Sequence, residues 1–173
     1  MFSVTTAAVP VVLSLLVLSG CAGPYTAPMD GRTARIRVLS PTVGYYEGLY
    51  VSVYPGGKCS AHATFGGLGG LAILQSDKPG LGIPKVLPIE RGTSYEQLVG
   101  AGEKVLFRTE VSRQTARCIA HASFIPEVNA DYEILVHSTP FTCTPEVRRI
   151  AVDSTGTAFA TRPADVEHPA ACE

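Results

Sequence analysis

The heptapeptide Cys59-Ser60-Ala61-His62-Ala63-Thr64-Phe65 returns as Cys118-Ile119-Ala120-His121-Ala122-Ser123-Phe124, with Cys, Ala, His, Ala and Phe in the same places. A Cys-x-x-His pair is compatible with zinc chemistry. Thiolate and imidazole bind zinc at about 2.0–2.3 Å, and residues i and i+3 converge on one ion where the chain between them turns. An extended strand does the opposite, because its side chains alternate between faces and i and i+3 lie about 10 Å apart on opposite sides. Sorted by alternation, Cys59, Ala61, Ala63 and Phe65 share one face against Ser60, His62 and Thr64. The second copy gives Cys118, Ala120, Ala122 and Phe124 against Ile119, His121 and Ser123. Every apolar residue but Ile119 sits with the cysteine, which is the partition of a half-buried strand. The cysteines are therefore expected to be structural and inward, and the histidines outward. The metal reading that survives is a weak site made by His62 and His121, with His137 as a third candidate.

Whether those cysteines pair depends on where the chain goes. No charge precedes Asp30, and Ala7 to Leu18 is an apolar run too short for a bilayer, which needs about 20 apolar residues. The run ends on Leu18-Ser19-Gly20-Cys21. These four residues resemble the lipobox of bacterial lipoproteins. In that family the cysteine thiol receives a diacylglycerol, the preceding peptide is removed and the new amino terminus is acylated. The resemblance implies that Cys21 is the lipidated first residue of the mature chain. It implies a signal peptide at 1–20, and a membrane partner engaged through the lipid. The absence of Lys or Arg before Arg32 departs from the usual signal peptide and leaves the true start open. Residue 22 is Ala rather than the Asp that tends to retain enteric lipoproteins in the inner membrane, so the expected location is the outer membrane.

The remaining chain suits one domain with a proper core. Net charge is −1 with both signs interspersed, so nothing draws the surface to nucleic acid. Four cysteines remain once Cys21 is acylated, an even number in a chain bound for an oxidising compartment, and two disulfides are expected. If the two Cys strands face each other, the bridges are Cys59–Cys118 and Cys143–Cys172. Four cysteines allow three connectivities, and the sequence alone leaves the choice open.

The elements that position these residues read as short strands. Residues 21–32 form a small-residue tether and 33–173 one domain. Strands are expected at Ala34 to Leu39, Leu49 to Tyr54, Cys59 to Phe65, Tyr95 to Val99, Val105 to Val111, Arg117 to Phe124, Asp131 to Val136 and Arg148 to Val152, with Thr157 to Thr161 as a possible last one. About seven strands with little helix predict an all-β, antiparallel β-sandwich of immunoglobulin-like or transthyretin-like type. A strand, a turn and a Cys strand occur twice, which suggests internal pseudo-symmetry. Between the two copies, residues 66–92 carry seven Gly and three Pro, which marks them as a long loop whose apolar pieces are placed to cover a sheet edge.

No Gly-x-Ser-x-Gly, P-loop or His-Glu-x-x-His is present, and the carboxylates Glu90, Glu96, Glu103 and Glu110 are spread along the chain. The expectation is a protein without catalysis or cofactor: a binding or structural component of the envelope with an envelope protein as partner. The alternative is a periplasmic metal or small-ligand binder using His62, His121 and the 66–92 loop. The residues Phe124-Ile125-Pro126, Ala130-Asp131-Tyr132-Glu133 and a later Cys are loosely similar to small uncharacterised proteobacterial outer-membrane lipoproteins, a likeness that implies no activity.

Overall fold

The structure, a computed structural model, describes residues 25–40, 48–57, 63–69, 80–86, 94–113, 116–139 and 141–169. Among the described residues there are nine strands, most of them built on apolar and polar alternation: β1 Thr33–Leu39, β2 Gly48–Pro55, β3 Ala63–Gly69, β4 Ser94–Gly100, β5 Val105–Ser112, β6 Arg117–Phe124, β7 Asp131–Ser138, β8 Cys143–Val152 and β9 Ala158–Thr161. They form two sheets, one of five strands in the order β4-β1-β7-β8-β9 and one of four in the order β3-β2-β5-β6. The fold is all-β and sandwich-like, as its strand pattern predicts. The core fills the space between the sheets. Ala34, Ile36, Val38, Tyr132, Ile134 and Val147 come from the first sheet, and Leu49, Val51, Val53, Phe107, Ala122 and Phe124 from the second. Phe124 stacks on Phe107 at 5.7 Å and tilts against Tyr132 at 4.9 Å, so aromatic packing crosses from sheet to sheet.

Two expectations are corrected. The sheets are not purely antiparallel, because β1 runs parallel to β7 with Arg35 opposite Asp131 and Leu39 opposite Leu135. A parallel pair needs a long crossover, and here the whole second sheet is built within it. The glycines Gly66, Gly67 and Gly69, read as the start of a loop, instead belong to β3, which pairs antiparallel with β2 around a register shift at Val51 and Ser52. The absence of Cβ makes glycine a natural occupant of such an irregular strand. The Gly100-Ala101-Gly102 turn carries the chain between sheets, since β4 belongs to one and β5 to the other. Gly102 holds φ at +85°, and its N–H donates to Pro126 O at 2.8 Å.

The internal echo has a structural counterpart. β2 and β3 form one hairpin, β5 and β6 another, and the two are joined back to back through antiparallel β2 and β5.

The stretch 21–32 is also less of a tether than expected. Tyr25 is buried in the core, its hydroxyl accepts the Gly100 N–H at 2.9 Å, and its carbonyl accepts from Gln97 at 2.8 Å. Burial raises the Tyr25 pKa, and the Gly100 hydrogen bond opposes that rise. From Tyr25 onward the chain is part of the domain.

Candidate functional site

The cysteines come first. The inner face of β6 is the one expected, with Phe124 and Ala122 in the core and Cys118 packed against it. The pairing is different. Cys118 is bonded to Cys143 at the start of β8, with their Cα atoms 5.9 Å apart. The expected Cys59–Cys118 and Cys143–Cys172 bridges are incompatible with that bond. The expected pairing has the two Cys strands face one another, whereas β3, which holds the end of the first of them from Ala63 on, and β6 are the two edges of one sheet, about 14 Å apart at about 4.8 Å per strand spacing. What faces the inner side of β6 is β8 of the other sheet. Cys118–Cys143 therefore joins the two sheets across the core. Cys21, Cys59, His62 and Cys172 lie outside the described residues.

Among the described residues, His121 and His137 do not come together. His121 points outward from β6, as expected, yet it is almost fully buried. The reason is the C-terminal segment: Glu167 pairs with Ser123 in an isolated antiparallel bridge, and His168 Nδ1 sits 3.3 Å from His121 O. Burial holds the His121 pKa below its ordinary value, and the cross-strand neighbour Arg108 lowers it further. His137 lies on the outer side of the other sheet, on β7, where its Nε2 is 3.3 Å from Glu146 Oε2. It cannot share a metal with His121 from there. Among the described residues no group of three or more His, Cys, Asp or Glu is arranged to hold a metal ion.

The arrangement that alternation did not single out lies on the outer face of the five-stranded sheet. Register places Glu96 of β4, Arg37 of β1, Glu133 of β7 and Arg148 of β8 in one continuous row across four strands, with alternating charge. Arg37 is 1% exposed and Glu133 0%. Arg37 Nε donates to Glu96 Oε1 at 2.8 Å, and Nη1 donates to Glu133 Oε2 at 3.4 Å. At the far end Arg148 forks onto Glu146, at 2.9 and 3.1 Å. This contact lowers the Glu146 pKa and raises that of Arg148. A second pair runs beside the row, with Arg35 bidentate on Asp131 at 2.6 and 2.7 Å.

These charges are covered by residues 80–86 of the glycine- and proline-rich segment. Leu81 O accepts from Arg35 at 2.9 Å, Pro84 O accepts from Arg37 at 3.1 Å, and Ile83 O accepts from Arg37 Nη2. In return Leu81 N–H donates to Glu96 Oε2 at 2.5 Å. Ile83 is buried. The strap thus lies across the face of β1 and β4 rather than along an edge. A strap without its own strand partners must place its backbone carbonyls somewhere, and the two guanidiniums supply the donors. One atom is left over. Glu133 Oε1 is buried and accepts no hydrogen bond, with Arg148 Nη1 3.8 Å away.

Arg35 and Arg37 are legible in the sequence as the polar alternates of β1. Their partners are not, because Asp131 and Glu133 each lie 96 residues away. The equal spacing of the two pairs is the mark of parallel register, and it becomes a signal only once β1 and β7 are known to be neighbours. No protein-family model matches the chain, and no curated protein matches it significantly.

Proposed function

We propose that the protein is an envelope lipoprotein, acylated at Cys21 and held at the outer membrane, whose disulfide-stabilised β-sandwich serves as a binding or structural component rather than a catalyst. The observation that carries this reading is the Cys118–Cys143 bridge. Structural disulfides are characteristic of oxidising compartments and rare in reducing ones, and export is what the lipobox resemblance independently implies. The non-catalytic part of the reading is supported by how the clustered charges are used. Glu96, Arg37 and Glu133 bond to one another and Glu96 and Arg37 to the strap backbone, so all but Glu133 Oε1 of their polar contacts serve the fold.

Of the two sandwich types expected, transthyretin-like is favoured. The immunoglobulin order would group the first, second, fifth and fourth strands in one sheet, whereas here β1 lies between β4 and β7.

Metabolic labelling with palmitate tests the anchor. Label is expected on the wild-type chain and absent from Cys21→Ser, and label persisting in the variant refutes acylation at that residue. Crosslinking in intact envelopes followed by purification tests the binding role, with a discrete partner expected to depend on the folded domain.

A further inference from the structure

The docking of Tyr25 limits how far the domain stands from its anchor. Tyr25 is fastened by two hydrogen bonds and buried in the core. Cys21 precedes it by four residues, and a fully extended chain spans at most about 3.6 Å per residue, so the two Cα atoms are at most about 14 Å apart. An eight-residue strand of the sandwich is about 26 Å long. With a lipid on Cys21 the domain has no room to float free of the bilayer.

One end of the sandwich gathers around this point. The Tyr25 hydroxyl meets Gly100 at the end of β4, and Pro28 Cγ lies 3.1 Å from where a Cβ on Gly100 would be. Ala101 N–H donates to Arg32 O, Gly102 N–H to Pro126 O and Asn129 N–H to Thr33 O, which ties the entering chain to the β4–β5 turn and the β6–β7 loop. This end displays Met29, 95% exposed, with Ile125 and Val128 on the β6–β7 loop, 46% and 42% exposed. The same segments carry charges of both signs, Asp30, Arg32, Glu103, Lys104 and Glu127, and the Asp165 carboxylate accepts the Ile125 N–H at 2.7 Å. Apolar contact rather than net charge therefore selects the face.

We propose that this end, through Met29, Ile125 and Val128, rests on the lipid surface and fixes the orientation of the domain on the membrane. The inference rests on acylation at Cys21. The Cys118–Cys143 bridge and Phe141, 91% exposed on the β7–β8 loop, lie toward the opposite end and face away from the bilayer.

The chain contains no tryptophan, so a single introduced one reports without background. The full acylated chain carrying Val128→Trp, and separately Phe141→Trp, is reconstituted into phosphatidylethanolamine–phosphatidylglycerol vesicles with brominated acyl chains. Val128→Trp is expected to lose about half its emission relative to unbrominated vesicles, since interfacial side chains seat about 5–10 Å into the headgroup and acyl boundary. Phe141→Trp is expected to be unaffected. Acylated, vesicle-bound protein in which Val128→Trp is unquenched, or in which both positions are quenched equally, overturns this orientation and leaves the anchor standing. Protein that carries no acyl group by mass and does not bind vesicles overturns both.

Discussion

Arg37 shows how a buried charge is made tolerable. Its guanidinium reaches the carboxylates of Glu96 and Glu133 and the carbonyls of Ile83 and Pro84, so its N–H groups are used in a site with almost no water. Removing one member of such a set is worse than removing the set, because the partner left behind is a buried, unpaired ion. Arg37→Met is expected to cost about 3–5 kcal/mol in urea unfolding. Adding Glu133→Leu to it should return much of that loss. Two additive losses would show that Arg37 and Glu133 are not coupled. His121 gives the residue scale its pH dependence. Its folded pKa is depressed below 6.5 by burial and then by Arg108, and around it lie Arg108, the Glu110 carboxylate that Arg108 holds at 2.7 Å, and the His168 ring, whose Nδ1 is 3.3 Å from the His121 carbonyl. The unfolded chain therefore binds the proton more readily, and stability is lost as pH falls below 6.5. Thermal unfolding from pH 7.5 to 5.5 should show this decline, and His121→Gln should flatten it. An unchanged slope in the variant would assign the decline to other groups.

At the scale of elements, the strap shows where local reading stops. Glu96 is its clasp, accepting both the Leu81 N–H and the Arg37 Nε–H. Hydrogen bonds to a charged group contribute about 1.5–3 kcal/mol, so Glu96→Ala should raise the open population of the strap about ten- to hundred-fold. Lys85 is exposed on the strap, and tryptic cleavage after it should accelerate by that factor while the sheets remain folded by circular dichroism. Cleavage at the wild-type rate would mean that Glu96 does not hold the strap. The strands themselves were legible because alternation is local: Ile36 and Val38 against Arg35 and Arg37, or Ala122 and Phe124 against His121 and Ser123, need no knowledge of a partner. The inward side of Cys118 followed from the same rule. Its bonding partner did not, because that depends on which strand of the opposite sheet lies across from β6. The same long-range ignorance hid the row from Glu96 to Arg148, whose members are ordinary surface alternates until register aligns them.

For the molecule as a whole, the Cys118–Cys143 bond is the covalent tie between the two sheets in the described residues, and its contribution can be bounded. The cysteines are 25 residues apart, and the chain-entropy relation gives about 3.5 kcal/mol for a loop of that length. Domains of this size have net stabilities of about 5–15 kcal/mol, so the bond is a large fraction of the whole. At about 2–4 °C per kcal/mol, the Cys118→Ala/Cys143→Ala variant is expected to melt about 10 °C lower. Reduction of the wild-type protein should match it. The connectivity is open to direct mapping. No Lys or Arg lies between residues 118 and 147, so trypsin leaves both cysteines in one peptide, whereas cleavage at Glu127 and Glu133 separates them. Without reductant the two glutamate-cut peptides should remain joined, and with it they should part. A Cys118 peptide joined instead to that of Cys59 would restore the pairing expected from the repeat and overturn the inter-sheet bond. The packing of Phe124 on both Phe107 and Tyr132 holds the inner face of β6 toward the core, where Cys143 meets Cys118.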